Sequence, residues 1–328
     1  MRRTRYMATR PNLNSWLDGA GAEHPVRVEM AFGGIDELLD DLEQLFATLE
    51  EAAPSRLQGK RRDFRSLTDR ERWFDLRSEL LLAWWLSLQG VAYEFGSPGT
   101  SQPDFVLPDF GFGIEVTRRA RDGSEALRMS LFRALLGIKP KARPVVTLSA
   151  QPLAIREGVL KQISDEAIAA LTRGDHHLDA VVRPARDGHP ATTAAIDLLR
   201  GDSALPRVRY LESAALLTVT MLDVEDLILS CLEDKRKAKQ GASMPCLLVI
   251  DASRLVDAVW LRPKDTWAKR LAHLLTDEHT FIGVALLYGR VGTLPHLALG
   301  IGPQASTSVR AAIARWSEQM GIEIVNDE

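Results

Sequence analysis

The first clear periodicity along the chain lies in residues 35–52. Leu38, Leu39, Leu42, Leu45, Phe46 and Leu49 recur there at the spacing of one helical face. Asp40, Asp41, Glu43, Glu50 and Glu51 mostly fill the other positions, which predicts an acidic amphipathic helix. Residues 1–30, with Pro11, Pro25 and Gly19-Ala20-Gly21, read as irregular. A second helix is predicted over residues 68–89, where Trp73, Leu76, Leu80, Ala83, Trp84 and Leu88 share a face. Thr68 with Glu71 three residues on resembles a capping box, and Gly90 supplies a stop. The period then falls to two. Strands are expected at residues 91–95, 104–107 and 112–118, joined by Gly96-Ser-Pro-Gly99 and Pro108-Asp-Phe-Gly111. Such short turns imply antiparallel neighbours.

Further on, the pattern predicts helices at residues 124–136 and 156–173 and strands at 144–149, 178–183 and 211–221, with a polar loop over 183–204. A strong helix is expected over 224–239, capped by Asp223, then a buried strand from the continuous apolar run Pro245-Cys-Leu-Leu-Val-Ile250. A helix at 264–275, strands at 281–288 and 294–300, and a closing helix at 308–320 complete the chain. Helices and strands interleave through both hairpins and crossovers. That predicts an α/β fold, with a mixed central β-sheet flanked by helices.

Charge adds one boundary. Arg56, Lys60, Arg61, Arg62, Arg65, Arg70 and Arg72 reverse the sign of the acidic segment before them. The expected division is therefore an N-terminal helical extension over 1–58 and a main domain over 59–328, elaborated at about 151–222. Composition mostly excludes. With 328 residues, 45% hydrophobic and 26% charged, the chain is neither disordered nor fibrous. A net charge of −3 excludes a globally basic nucleic-acid binder but leaves room for a local basic groove. Two cysteines exclude a disulfide scaffold and a four-cysteine zinc site. No apolar run is long enough to span a membrane, and none follows the basic start, so a cytoplasmic location without a membrane partner is expected.

The chemistry concentrates in Gln102-Pro-Asp-Phe-Val-Leu-Pro-Asp-Phe-Gly-Phe-Gly-Ile-Glu-Val-Thr-Arg-Arg119. Asp104 begins one strand and Glu115 sits in the next, sharing a face with Thr117. Neighbouring strands lie about 4.8 Å apart, so two carboxylates on facing strands can clamp one hard cation such as Mg²⁺ or Mn²⁺. The Val116 carbonyl offers a further oxygen, and Glu79, in mid-helix, can point towards the sheet as a third acid or pair with Arg77 or Arg118. Pro108-Asp109 is assigned to the turn itself. His176-His177 reads as surface and Trp84-Trp85 as core. The glycines at 289–292 and 300–302 lack the order of a dinucleotide loop, and no serine sits in a nucleophile elbow.

A helix bearing Glu79, a Pro103-Asp104 strand and a Glu115-Val116-Thr117 strand together resemble the PD-(D/E)XK nuclease superfamily, the restriction-endonuclease-like fold. The resemblance covers residues 68–119. It extends either to the helix and strand over 224–250 or, alternatively, to those over 124–149. It implies metal-dependent phosphodiester hydrolysis, with Glu79, Asp104, Glu115 and Val116 around Mg²⁺ or Mn²⁺. It implies nucleic acid as partner, DNA before RNA, in a setting such as defence, restriction or repair. The sequence departs from the pattern at one position, where Thr117 stands for the motif lysine. On the resemblance, a helix residue takes over that role, Lys235 first and Lys239 second. Arg118, Arg119 and Gln240 would then meet the nucleic acid. Two other readings remain: an inactive member of the same fold that binds nucleic acid or acts as a scaffold, and a module whose acidic N-terminal helix docks a second copy or a defence-complex partner.

Overall fold

The computed structural model describes residues 9–32, 36–52, 56–97, 101–118, 123–135, 138, 142–150, 152, 154–186, 190–200, 207–210, 221–253, 264–288 and 295–322. In chain order the elements are α1 (Pro11–Leu17), α2 (Pro25–Phe32), α3 (Asp36–Ala52), α4 (Gln58–Arg65), α5 (Arg70–Leu88), β1 (Glu94–Phe95), β2 (Phe105–Leu107) and β3 (Phe112–Arg118). There follow α6 (Gly123–Leu135), β4 (Ala142–Leu148), α7 (Glu157–Arg173), β5 (His177–Arg183), β6 (Thr192–Arg200), β7 (Arg207–Tyr210), α8 (Met221–Leu232) and α9 (Lys235–Gly241). The last are β8 (Cys246–Asp251), α10 (Lys264–Leu274), β9 (Gly283–Tyr288), β10 (His296–Ile301) and α11 (Thr307–Met320). The fold is α/β. The chain forms two compact units, Met1–Arg118 with Lys235–Ser253 and Pro263–Glu328, and Arg119–Asp234 with Arg254–Arg262.

The first unit holds a six-stranded mixed sheet of order β1-β2-β3-β8-β9-β10. β1, β2 and β3 form an antiparallel meander, β3, β8 and β9 run parallel, and β10 returns antiparallel to β9. Every residue of β8 and β9 is buried, as their uninterrupted apolar runs require. α5 packs against β3 and is apolar all round from Leu80 to Leu86, so it is a core helix rather than a one-sided one. It starts at Arg70, which moves the cap position from Thr68 to Asp69. The strand expected at 91–95 shortens to β1.

The N-terminal segment belongs to this same core. Pro11 and Pro25 each open a helix, where the missing N–H costs no hydrogen bond, so the segment read as irregular contains α1 and α2. Trp16 stacks on Phe46 at 4.1 Å between ring centres and meets Phe64 edge-on at 5.5 Å, and Phe64 meets Trp73 of α5 in turn. The composition break at residue 58 therefore separates two helices, not two packed bodies, and the apolar face of α3 is spent inside the chain. Trp16→Ala should cost about 3–5 kcal/mol of stability. Denaturant unfolding measures it, and a loss below ~1 kcal/mol would mean that residues 1–52 are a loosely attached extension.

The second unit holds a four-stranded sheet of order β5-β6-β4-β7. α6 and α7 give it a core of its own, with Leu127, Leu131, Ile163 and Ala167 against Val146, Ala194, Ile196 and Leu198. β6 runs through the stretch read as a polar loop. Its inward residues Ala194, Ile196 and Leu198 alternate with Thr193, Ala195 and Asp197, a strand pattern muted by alanine. The strand expected at 211–221 lies outside the described residues except for Met221, which begins α8. The predicted helix over 224–239 is two helices. The chain breaks at Glu233-Asp234, and the main segment of the second unit ends there. This unit is thus inserted between β3 and α9.

Candidate active site

Asp104 stands one residue before β2, and the pairing of Phe105 with Ile114 sets it opposite Glu115 on β3. The two side chains clasp across the hairpin. The Asp104 amide donates to Glu115 Oε2 at 3.2 Å, and the Val116 amide donates to Asp104 Oδ2 at 2.8 Å. Close backbone approach makes this possible. The Gly96 amide donates to the Asp104 carbonyl at 2.9 Å, and a Cβ on Gly96 would lie 2.0 Å from the Pro103 carbonyl oxygen. Alternation along β3 turns Ile114 and Val116 into the apolar core, and leaves Glu115 and Thr117 on the other face.

Glu115 is wholly buried, and its charge is answered by a lysine. The Lys237 ammonium donates to Glu115 Oε1 and, at 3.1 Å, to the Val116 carbonyl. Glu79 on α5 pairs with Lys60 of α4. Burial, partly offset by Lys60 and reinforced by Asp104, pushes the Glu79 carboxyl up to about 7. Burial together with Asp104, against Lys237, pushes Glu115 to about 7 as well. Burial and the neighbouring Glu115 raise the Cys246 thiol, so this cysteine is an inert core group. The site is a clasped pair of carboxylates, Asp104 and Glu115, with a main-chain carbonyl and the Lys237 ammonium, and the Glu79–Lys60 pair lies within electrostatic reach of Asp104 and Lys237.

No family model, curated protein or solved structure matches this chain. Function is therefore to be read from the site itself.

Of the residues singled out in the sequence, Asp104, Glu115 and Val116 are brought into contact here, and Glu79 lies only within electrostatic reach of Asp104. Glu79 pairs with Lys60, not with Arg77 or Arg118. Thr117 is half-buried on the Glu115 face and brings no charge. The lysine in the cluster is Lys237, where Lys235 and Lys239 were expected. Lys239 is exposed, and the side chain of Lys235 lies outside the described residues. Arg118 corrects a second expectation. It is buried over the Phe74 ring, 5.0 Å from its centre, with Nε 3.6 Å from Asp75, so it faces the interior and not a nucleic acid. Arg119 lies outside the described residues. Gln240 Oε1 is buried with no hydrogen-bond partner among the described residues. Asp109 is exposed in the turn, and Trp84 and Trp85 are core.

The donor set suits a hard cation. The available ligands are oxygens, a lysine pairs with each of the two buried acids, and Lys237 acts as a stand-in cation against Glu115 and Val116. Among the described residues no three acid, histidine or cysteine side chains come together as a ready-made metal centre. Mg²⁺ does not need one, because it usually keeps several waters and takes one or two carboxylates. Among the described residues, no helix is long and apolar enough to cross a membrane.

Proposed function

We propose that the six-stranded unit is a metal-dependent nuclease of the PD-(D/E)XK type that hydrolyses phosphodiester bonds, in DNA before RNA. The observation that carries this reading is the Lys237 ammonium lodged between the Glu115 carboxylate and the Val116 carbonyl. It supplies from α9 the positive charge that Thr117 lacks. Asp104, Glu115 and the Val116 carbonyl are the oxygens that would hold Mg²⁺ or Mn²⁺, with Glu79 behind them. When bound, such a cation supplies Lewis acidity and lowers the pKa of a coordinated water. The chain's own residues do the rest. The hairpin clasp fixes Asp104 against Glu115, so the negative oxygens are set before any ligand arrives. Lys237 brings a full positive charge to meet the charge that develops on the phosphoryl oxygens. Lys60 holds Glu79 in place. Defence, restriction and repair are the settings that the resemblance suggests.

One observation favours the inactive reading. Lys237 already satisfies the two oxygens that a metal would take, so the site is electrostatically complete without one. The assay that decides uses supercoiled, linear and single-stranded DNA, and RNA, with Mg²⁺, Mn²⁺ or chelator. Wild-type protein should cut in a metal-dependent way, and Asp104→Ala and Glu115→Ala should each lose at least about 10²-fold in rate. Cleavage that survives in both variants, or in chelator, would sink the assignment.

A further inference from the structure

We propose that the face of α4 turned away from the carboxylate cluster is a second phosphate-binding surface, which holds the nucleic-acid backbone away from the bond to be cut. The nature of the ligand rests on the nuclease reading. The surface itself stands on different residues. α4 carries Lys60 and Arg62 two positions apart, so their side chains leave the helix about 200° apart. Lys60 goes to Glu79. On the other side a cleft of about 500 Å³ is lined by Gly19, Gln58, Arg61, Arg62, Arg65 and Ser66.

The three guanidinium groups are not equivalent. Arg65 is fixed by the end of α1, donating from Nε to the Trp16 carbonyl at 3.4 Å and from Nη2 to the Ser15 carbonyl at 3.0 Å. Arg61 is fixed by Glu50 and lies 5.7 Å from the centre of the Trp16 ring, and its Nε is buried without a hydrogen-bond partner among the described residues. Both are therefore pre-organised, and a guanidinium has five N–H donors, so each keeps some for a ligand. Arg62 is 77% exposed and meets Asp63 at 3.9 Å. Glu50 and Asp63 offset two of the three charges, and one net positive charge remains among the residues lining the cleft. Guanidinium groups match phosphate oxygens in geometry and charge. An α-helix with its side chains is about 10–12 Å across, or three to four steps of a duplex at about 3.4 Å each.

The test is duplex binding by full-length protein in chelator, followed by fluorescence anisotropy of a labelled DNA duplex across a salt series. Arg62→Glu should weaken binding about tenfold and flatten the slope of log K against log salt by roughly 0.9, because one phosphate fewer is neutralised. Arg315→Glu, the same change of charge at an exposed position of α11, should stay near wild type. Equal affinity and slope for Arg62→Glu and Arg315→Glu would overturn the proposal. So would inorganic phosphate that abolishes duplex binding at constant ionic strength, because the cleft would then be a free-phosphate site. Mn²⁺-dependent hydrolysis by the wild type is scored apart. Arg62-dependent binding without hydrolysis sinks the nuclease reading and leaves the surface standing. Hydrolysis with Arg62-independent binding does the reverse.

Discussion

Lys237→Met is expected to lower metal-dependent DNA cleavage by about 10²–10³-fold, the usual loss when one pre-organised electrostatic partner of the transition state is removed. Methionine keeps an unbranched apolar stem, one atom shorter, and removes the charge and its donors. Lys239→Met, an exposed change on the same helix, should leave the rate close to wild type, and the contrast between the two decides which lysine stands in for Thr117. Stability needs a separate check. Removing one partner of a buried pair costs about 3–5 kcal/mol when the other stays charged. Glu115 escapes much of that cost by taking a proton, since burial already holds it near 7 and losing Lys237 removes the influence that pulls it down. Below neutral pH the variant should therefore remain folded. The double variant Lys237→Met with Glu115→Gln should be at least as stable as Lys237→Met above neutral pH, yet equally inactive. If Lys237→Met cuts at the wild-type rate while Lys239→Met does not, the assignment of the lysine is wrong.

The hairpin that carries this chemistry was readable because everything about it is local. Period-two alternation put Glu115 and Thr117 on one face, the Pro108-Asp-Phe-Gly111 turn fixed the pairing, and Asp104 then had to lie opposite Glu115. The same alternation places Arg118 with Ile114 and Val116, which is where it is buried. Lys237 was hidden by a break that no glycine or proline announces. Apolar and polar positions run through 224–239 as though one helix continued, so Lys235 and Lys239 looked like neighbours on a single face. Asp234, a favoured residue just before a helix start, begins a new helix there and resets the direction in which each lysine points. Lys60 could not be found from pattern at all. Its partner Glu79 is nineteen positions away, and only the packing of α4 beside α5 brings them together. The insertion of a whole second unit between β3 and α9 was legible only in part, because β6 carries alanines where a strand usually shows branched or aromatic residues.

Raising the pH from about 6 to about 8 without divalent ions should lower the melting temperature by several degrees. The sign follows from the two acids near 7. A carboxyl whose folded pKa lies above its unfolded value of 4.5 binds more protons in the native state, so its contribution is fully present below 4.5 and is lost as pH rises through about 7. Both side chains are at least four-fifths buried, so solvent screens the effect little. Each acid alone would give up about 1 kcal/mol between pH 6 and pH 8, out of the roughly 3 kcal/mol that its whole shift represents at 1.36 kcal/mol per unit. Because the two share Asp104 and Lys237 as neighbours, a combined change of a few kcal/mol is the expected scale, and at ~2–4 °C per kcal/mol that is a measurable fall. Glu115→Gln should flatten the profile, since its amide carries no charge to desolvate. Mn²⁺ should reverse the fall. A cation competes with the protons for the same oxygens, so its stabilisation should be larger at pH 8 than at pH 6, and at a concentration about 100 times its Kd it should reach ~2.7 kcal/mol. Asp104→Ala should abolish that gain. A pH-dependent profile that Mn²⁺ leaves untouched at every pH would mean that Lys237 is the site's permanent cation. The carboxylates would then be a buried ionic lattice without a metal, and the search for function would move to the arginines of α4.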